Sequence, residues 1–280
     1  MKKSINFWSF AGGTTVEQAI LLAKDAGFAG VELAMGDVGL TGLPTNDAAR
    51  TARNIAQNEG IALPSLACGL CWDYLLTSSI PEKRRQAKDM IRRQVDMAAE
   101  LGADSILVIP GAVGVDFLNG KADLLPYEEA YDASLEALTE LAPYAAKACV
   151  NLALENVWNK FLLSPLELRD FIDKIGSAYV GCYFDVGNVL LTGYPEQWVR
   201  ILGKRIKKVH FKDYRRDPGG FNCFCDLLSG DVDYPAVMEA LEAVGYDDYC
   251  AAEMIPNYKY YTSQTIYNAS KSMDRILQKA

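Results

Sequence analysis

Residues 180–213 read VGCYFDVGNVLLTGYPEQWVRILGKRIKKVHFKD, and this stretch decides the fold. It opens with a short apolar run, VGCYFD, turns through VGN, continues in an amphipathic run, EQWVRILGKRI, and enters a second apolar run, KKVHFKD. Runs that are apolar throughout, rather than alternating, belong to strands buried on both faces, as in a parallel sheet covered by helices. The unit is therefore strand–helix–strand, and its two strands end on Asp185 and His210, polar groups placed where a parallel sheet presents its chemistry.

The same alternation extends in both directions. Upstream, SINFWSF precedes TVEQAILLAKDAG, with Thr15 as N-cap and Gly27 as the stop. GVELAM precedes AARTARNIAQNEG, which stops at Gly60, and LPSLACG leads to PEKRRQAKDMIRRQVDMAAELG. SILVIPG precedes YEEAYDASLEALTELAPYAAKA, and NLALENV precedes SPLELRDFIDKIG, where Ser164-Pro165 forms an N-cap and N1 pair. Downstream, DYPAVMEALEAVG, then YCAAEMI and the helix around TIYNASKSMDRILQK complete eight βα units. No Pro/Gly/Ser-rich linker divides them, and no GxGxxG follows the first strand as a doubly wound sheet would want. The expectation is an α/β protein with one (β/α)8 TIM barrel over residues 1–280, a size ordinary for that fold.

With 50% hydrophobic and 23% charged residues the chain can bury a large core, and its net charge of -8 makes nucleic acid and anionic membranes poor partners. The apolar N-terminal run is interrupted by Ser4 and Asn6 and is too short for a signal peptide or a span, so a soluble, cytoplasmic protein is expected. The seven cysteines, including the Cys68/Cys71 and Cys223/Cys225 pairs, read as small apolar residues of a reduced protein, with redox or zinc chemistry as the alternative.

Four consecutive strand ends each carry a metal-competent side chain: Glu155 after LAL, Asp185 after YF, His210 in KKVHF and Glu253 after CAA. Three carboxylates converging on one rim cannot all stay ionised in a poorly solvated site. A divalent cation resolves the conflict, and three carboxylates with one imidazole suit Mn2+, Mg2+ or Co2+, with Zn2+ as a further candidate. The competing reading is a proton-sharing network paired with lysine.

The segments LALENVWN, YFDVGN, KKVHFKD, GDVDYPAVMEAL and YCAAEMI resemble the xylose-isomerase-like barrels, which include the D-tagatose and D-psicose 3-epimerases and the L-xylulose-5-phosphate 3-epimerase. The likeness runs over most of the chain and is strongest from Asn151 to Ile255. It implies one metal, manganese first among the candidates, held by Glu155, Asp185, His210 and Glu253. It also implies proton chemistry by Glu155 and Glu253, with a sugar or sugar phosphate as substrate, and pairwise assembly through the barrel helices as a homodimer or homotetramer. Two bases on facing walls give epimerisation through an enediolate, and one base on a single face gives aldose–ketose isomerisation. Inosose dehydratases and hydroxypyruvate isomerases share such strand-end ligands and stay as alternatives. A non-catalytic binding barrel is a further one. The related three-zinc endonucleases need many histidines, and this chain has one.

The chain departs from the free-ketose epimerases at two places. Their histidine three residues after the strand-six aspartate is Asn188 here, and their glutamate after an Asn-Arg-Phe run is replaced by Asn159, Lys160, Phe161 and Leu162. Both changes weaken the free-sugar reading. The basic loop KDYRRDPGG offers Lys212, Arg215 and Arg216, of which Arg216 matches the family's substrate-binding arginine, unless Asp213 and Asp217 merely neutralise these cations. Trp8, Trp72 and Trp158 are candidates to wall the pocket, since sugars present C–H faces to large rings. The candidate substrate contacts are thus Arg216, Asn188, Trp158, Trp72, Trp8, Lys160, Lys212 and Arg215.

Overall fold

The computed structural model describes residues 1–36, 42–118 and 123–278. Eight strands close a barrel: β1 (Lys2–Asn6), β2 (Gly30–Met35), β3 (Leu66–Cys68), β4 (Ser105–Val108), β5 (Asn151–Glu155), β6 (Val180–Asp185), β7 (Ile206–Phe211) and β8 (Tyr249–Ala252). Neighbours in sequence are neighbours in space and parallel, and β8 returns to β1 with Lys2 opposite Tyr249 and Ile5 opposite Ala252. Their residues are almost all buried, as the uninterrupted apolar runs require.

The helices are α1 (Val16–Asp25), α2 (Asn46–Glu59), α3 (Pro81–Leu101), α4 (Tyr127–Ala148), α5 (Pro165–Ile175), α6 (Pro195–Leu202), α7 (Tyr234–Ala243) and α8 (Thr262–Ile276). Each packs on the next and α8 on α1, forming the outer ring. Their ends follow local chemistry. The Thr15 side chain caps α1 in a reciprocal box with Gln18, and Ser164 caps α5 ahead of Pro165. Gly60 ends α2 in the left-handed conformation, whereas α1 is capped by Ala26 with Gly27 following at positive φ.

The first strand is shorter than its β-rich run suggests. Asn6 Oδ1 accepts the Trp8 N–H and starts a 3-10 turn over Phe7–Ser9, so Trp8 sits on the turn above β1. Beyond β7 the chain makes a small antiparallel ribbon, Asp213–Tyr214 against Phe224–Cys225. Among the described residues, no helix is long and apolar enough to cross a membrane.

The barrel lumen carries a polar column that the strand period explains. Alternate residues of β7 and the residue beyond it, Lys208, His210 and Lys212, point inward at successive heights. Lys208, at the lower end, is 2% exposed and pairs with Asp104 at 2.9 Å and with Asp248. His210 stands in the middle, and Lys212 reaches the upper rim.

Candidate metal centre and cavity

Glu155 ends β5, Asp185 ends β6, His210 lies in β7 and Glu253 follows β8 directly, so four adjacent strands bring them to one rim. One ligand-competent atom from each lies within 4.8 Å of all the others, and all four residues are buried. His210 Nδ1 stands 3.7 Å from Glu155 Oε1 and 3.9 Å from both Asp185 Oδ2 and Glu253 Oε2.

Local hydrogen bonds fix this geometry. Asn156 grips the backbone of Asp185 twice, accepting its N–H at 2.9 Å and donating to its carbonyl at 2.8 Å. Asp185 Oδ1 accepts the Asn188 N–H at 2.7 Å as cap of the helical turn Val186–Val189, which leaves Oδ2 facing the centre. Gly187 is demanded by close packing, because a Cβ there would lie 2.8 Å from the Lys212 carbonyl oxygen. The Glu253 N–H donates to the Phe211 carbonyl at 3.0 Å, continuing the β7–β8 ladder to this residue.

The electrostatics are strained by burial. Burial pushes the Glu155 carboxyl up to about 7, with the Glu253 and Asp185 charges adding to the push against His210. Burial likewise raises Asp185 despite Lys212. Glu253 goes the other way, since the Lys212 and His210 charges outweigh burial and hold it below the usual carboxylate range. Burial would lower His210, but the Glu32 and Glu253 charges carry it well above the ordinary histidine range. Lys212, also buried, is raised by Asp185, Glu253 and Glu155. Its ammonium pairs with Glu253 Oε2, lies 3.5 Å from Asp185 Oδ2 and stands 4.7 Å from the centre of the Phe224 ring.

Three carboxylates thus face one ammonium and one imidazole. Asp185 Oδ2 and His210 Nδ1 are buried, aimed at the common centre and without hydrogen bonds. Orphaned buried polar atoms of this kind are costly unless a ligand satisfies them. Oxygen and imidazole donors in this number could hold a divalent ion, and the residual negative charge favours one. The lysine pairing anticipated as the competing reading is also present, between Lys212 and Glu253.

The ligands open into a cavity of about 290 Å³. Glu155, Glu253, Lys212 and Asn188 line its base, and Trp8, Trp72, Trp158, Phe117, Phe221 and Phe224 form its walls. The rings touch in series: Trp72 edge-on to Phe117 at 5.2 Å, Phe117 stacked on Phe221 at 5.4 Å, and Trp158 against Phe224 at 5.1 Å. Trp158 Nε1 donates to the Asn188 carbonyl at 2.8 Å, which fixes the indole beside the candidate ligands. Cys68 and Cys71 are buried in the same wall.

The other candidate contacts lie elsewhere. The Arg216 guanidinium donates to the carbonyls of Leu190 and Gly193 and covers the Tyr194 ring, while Arg215 donates to the Ser229 carbonyl. Lys160 pairs with Asp116 at 2.7 Å on the surface. Asp213 does not neutralise these arginines. It is buried and accepts the backbone N–H groups of Tyr214, Leu228, Gly230 and Val232.

Residues 20–276 match the family described as xylose isomerase-like TIM barrel. The chain belongs to this family. It is 29% identical to the inosose isomerase of Bacillus velezensis over 54% of this chain and 57% of that one. It is 26% identical to the putative L-ribulose-5-phosphate 3-epimerase SgbU of Escherichia coli over 82% of this chain and 80% of that one. A Methanocaldococcus jannaschii relative, MJ1311, is 26% identical over 61% of this chain, and the chain spans only 57% of the length of that protein and of the inosose isomerase. In structure, the IolI protein with a bound zinc atom superposes at a TM-score of 0.83 with 18% identity, over 100% of this chain and 99% of that one.

Sequence reasoning from the strand ends did not find Glu32. It lies in β2, is fully buried, and its Oε1 is 2.7 Å from His210 Nε2. The signal was present: GVELAM is apolar but for that carboxylate, and a charge inside a two-sided buried strand needs a partner.

Proposed function

We propose that the chain is a divalent-metal-dependent carbohydrate epimerase or isomerase that moves a proton on the carbon beside a carbonyl, acting on ketoses or ketose phosphates. The observation that carries this reading is that Glu155 and Glu253, both candidate ligands, also line an aromatic-walled cavity from β5 and β8, with β6 and β7 between them. Two carboxylates so separated can address one carbon from two sides. One of Glu155 and Glu253 would take the proton on one face, and the other, protonated from solvent, would deliver its proton to the opposite face, which inverts the centre.

Glu155, Asp185, His210 and Glu253 would hold the ion, which supplies Lewis acidity that eases negative charge on the substrate oxygens. Lys212 keeps a positive charge beside Glu253, and the ring wall excludes water from a carbanion-like species. The relatives' names support a carbohydrate substrate: inosose for one and L-ribulose 5-phosphate for another. Manganese is the metal expected from the family likeness; the donor set is also compatible with magnesium, cobalt or zinc.

The Lys212 ammonium favours one further reading. A buried acid lining the cavity could protonate a departing hydroxyl, so proton removal by a glutamate could end in dehydration, the reaction named for a Geobacillus thermodenitrificans relative 23% identical over 86% of this chain.

The test is solvent-deuterium incorporation with Mn2+ and a panel of ketoses, ketose phosphates and inososes, read by NMR. Deuterium at C3 with an inverted centre, lost by a factor of about 10²–10⁴ in Glu253→Gln, is the expected result. Exchange at C1 would move the assignment to isomerisation, and loss of water to dehydration. A metal-loaded protein that exchanges no proton on any of them would sink the enzymatic reading.

A further inference from the structure

Beneath the four candidate ligands lies a second polar cluster that proton chemistry does not use. The Glu32 side chain is 0% exposed, and its two oxygens meet donors from four other parts of the barrel. Oε1 faces Asn6 Nδ2 of β1 and His210 Nε2 of β7, and Oε2 faces Ser65 Oγ at 2.6 Å and the Tyr183 hydroxyl of β6.

The proton positions follow from the donor count. Asn6 Oδ1 is already occupied by the Trp8 N–H at 2.8 Å, so its amide nitrogen is the atom that faces Glu32. Ser65 and Tyr183 each supply a hydroxyl proton to Oε2. A carboxylate only accepts, so the remaining contact, 2.7 Å to His210 Nε2, requires a proton on that nitrogen; a lone pair there would repel. The imidazole is thereby anchored at Nε2, and Nδ1 is the nitrogen left facing Glu155, Asp185 and Glu253.

We infer that Glu32 is a positioning residue: it holds the Nε2–H of His210 and thereby fixes the ring so that Nδ1 is the nitrogen offered to a metal ion. This rests on the proposed metal centre. A carboxylate behind a metal-bound histidine sets ring orientation and raises ligand basicity, and removing it typically weakens metal binding about 10- to 100-fold.

His210 is the only histidine in the chain, so [15N]histidine labelling gives one imidazole whose signals need no assignment. In the Zn2+-loaded protein, Nδ1 is expected to carry the metal-induced shift and Nε2 a slowly exchanging proton. Glu32→Gln, nearly isosteric, is expected to weaken Mn2+ binding in titration calorimetry by about 10- to 100-fold and to speed exchange of that proton. Tyr183→Phe removes one donor to Glu32 but leaves its bond to His210, and is expected to keep the wild-type affinity. A Zn2+-shifted Nε2 in the wild type, or wild-type Mn2+ affinity in Glu32→Gln, overturns the inference. If Glu32→Gln fails to fold, the wild-type spectrum alone still decides it. A folded wild type that binds neither ion overturns the metal centre itself, a result distinct from either of these.

Discussion

At position 212 an ammonium group is buried between Glu253 and Asp185, the same oxygens that a metal would draw on. In the metal-free protein it offsets these carboxylates directly, and removing one partner of a buried pair costs about 3–5 kcal/mol. Lys212→Met should therefore lower the melting temperature of the metal-free protein by roughly 6–20 °C, taking about 2–4 °C per kcal/mol for a domain of this size. Mn2+ should restore most of the loss, because the ion takes over the charge compensation. Equal losses with and without Mn2+, measured by calorimetry, would show that the lysine serves packing alone. The contrast with Lys160 is instructive: its pair with Asp116 is exposed on the surface, where such pairs contribute about 0–1 kcal/mol.

Among the elements, the segment after β7 is the one whose order the cavity depends on. It delivers Phe221 and Phe224 to the wall, and Asp213 ties it down by accepting backbone N–H groups at 2.8, 2.9, 3.1 and 3.2 Å. Asp213→Asn would turn an amide N–H toward some of these donors, at a cost of about 1–3 kcal/mol for groups left unpaired. Faster proteolytic cleavage between residues 214 and 232 is expected, with KM raised more than kcat is lowered. An unchanged cleavage rate would mean that the aromatic packing of Trp158, Phe221 and Phe224 holds the segment without the aspartate.

For the molecule as a whole, a group of buried acids makes stability depend on the ion. A ligand that binds only the folded state at 100 times its Kd stabilises by about 2.7 kcal/mol. Saturating Mn2+ should thus raise the melting temperature by about 5–10 °C, and EDTA should reverse the gain. The increment should vanish in Asp185→Asn, whose parent carboxylate contributes an oxygen that makes no hydrogen bond. A melting temperature indifferent to Mn2+, Mg2+, Co2+ and Zn2+ would remove the metal from the account.

The barrel itself was determined by the sequence: eight short, two-sided apolar runs, each followed by a capped amphipathic run, leave little alternative to a closed parallel sheet ringed by helices. The strand-end positions of Glu155, Asp185, His210 and Glu253 were legible for the same reason, because in this fold the end of a strand is a place in space. Off the strands the outcome is mixed: Trp8, Trp72 and Trp158 line the cavity, and the basic side chains turn elsewhere. Arg216, Arg215 and Lys160 sit in loops whose direction depends on which backbone carbonyls and carboxylates they meet, and only tertiary packing turned them to Leu190, Gly193, Ser229 and Asp116. Glu32, Ser65, Tyr183 and His210 are separated by up to 178 residues along the chain. Closure of the barrel alone brings them together, since inward side chains of different strands share one lumen and a buried carboxylate there must find its donors across it.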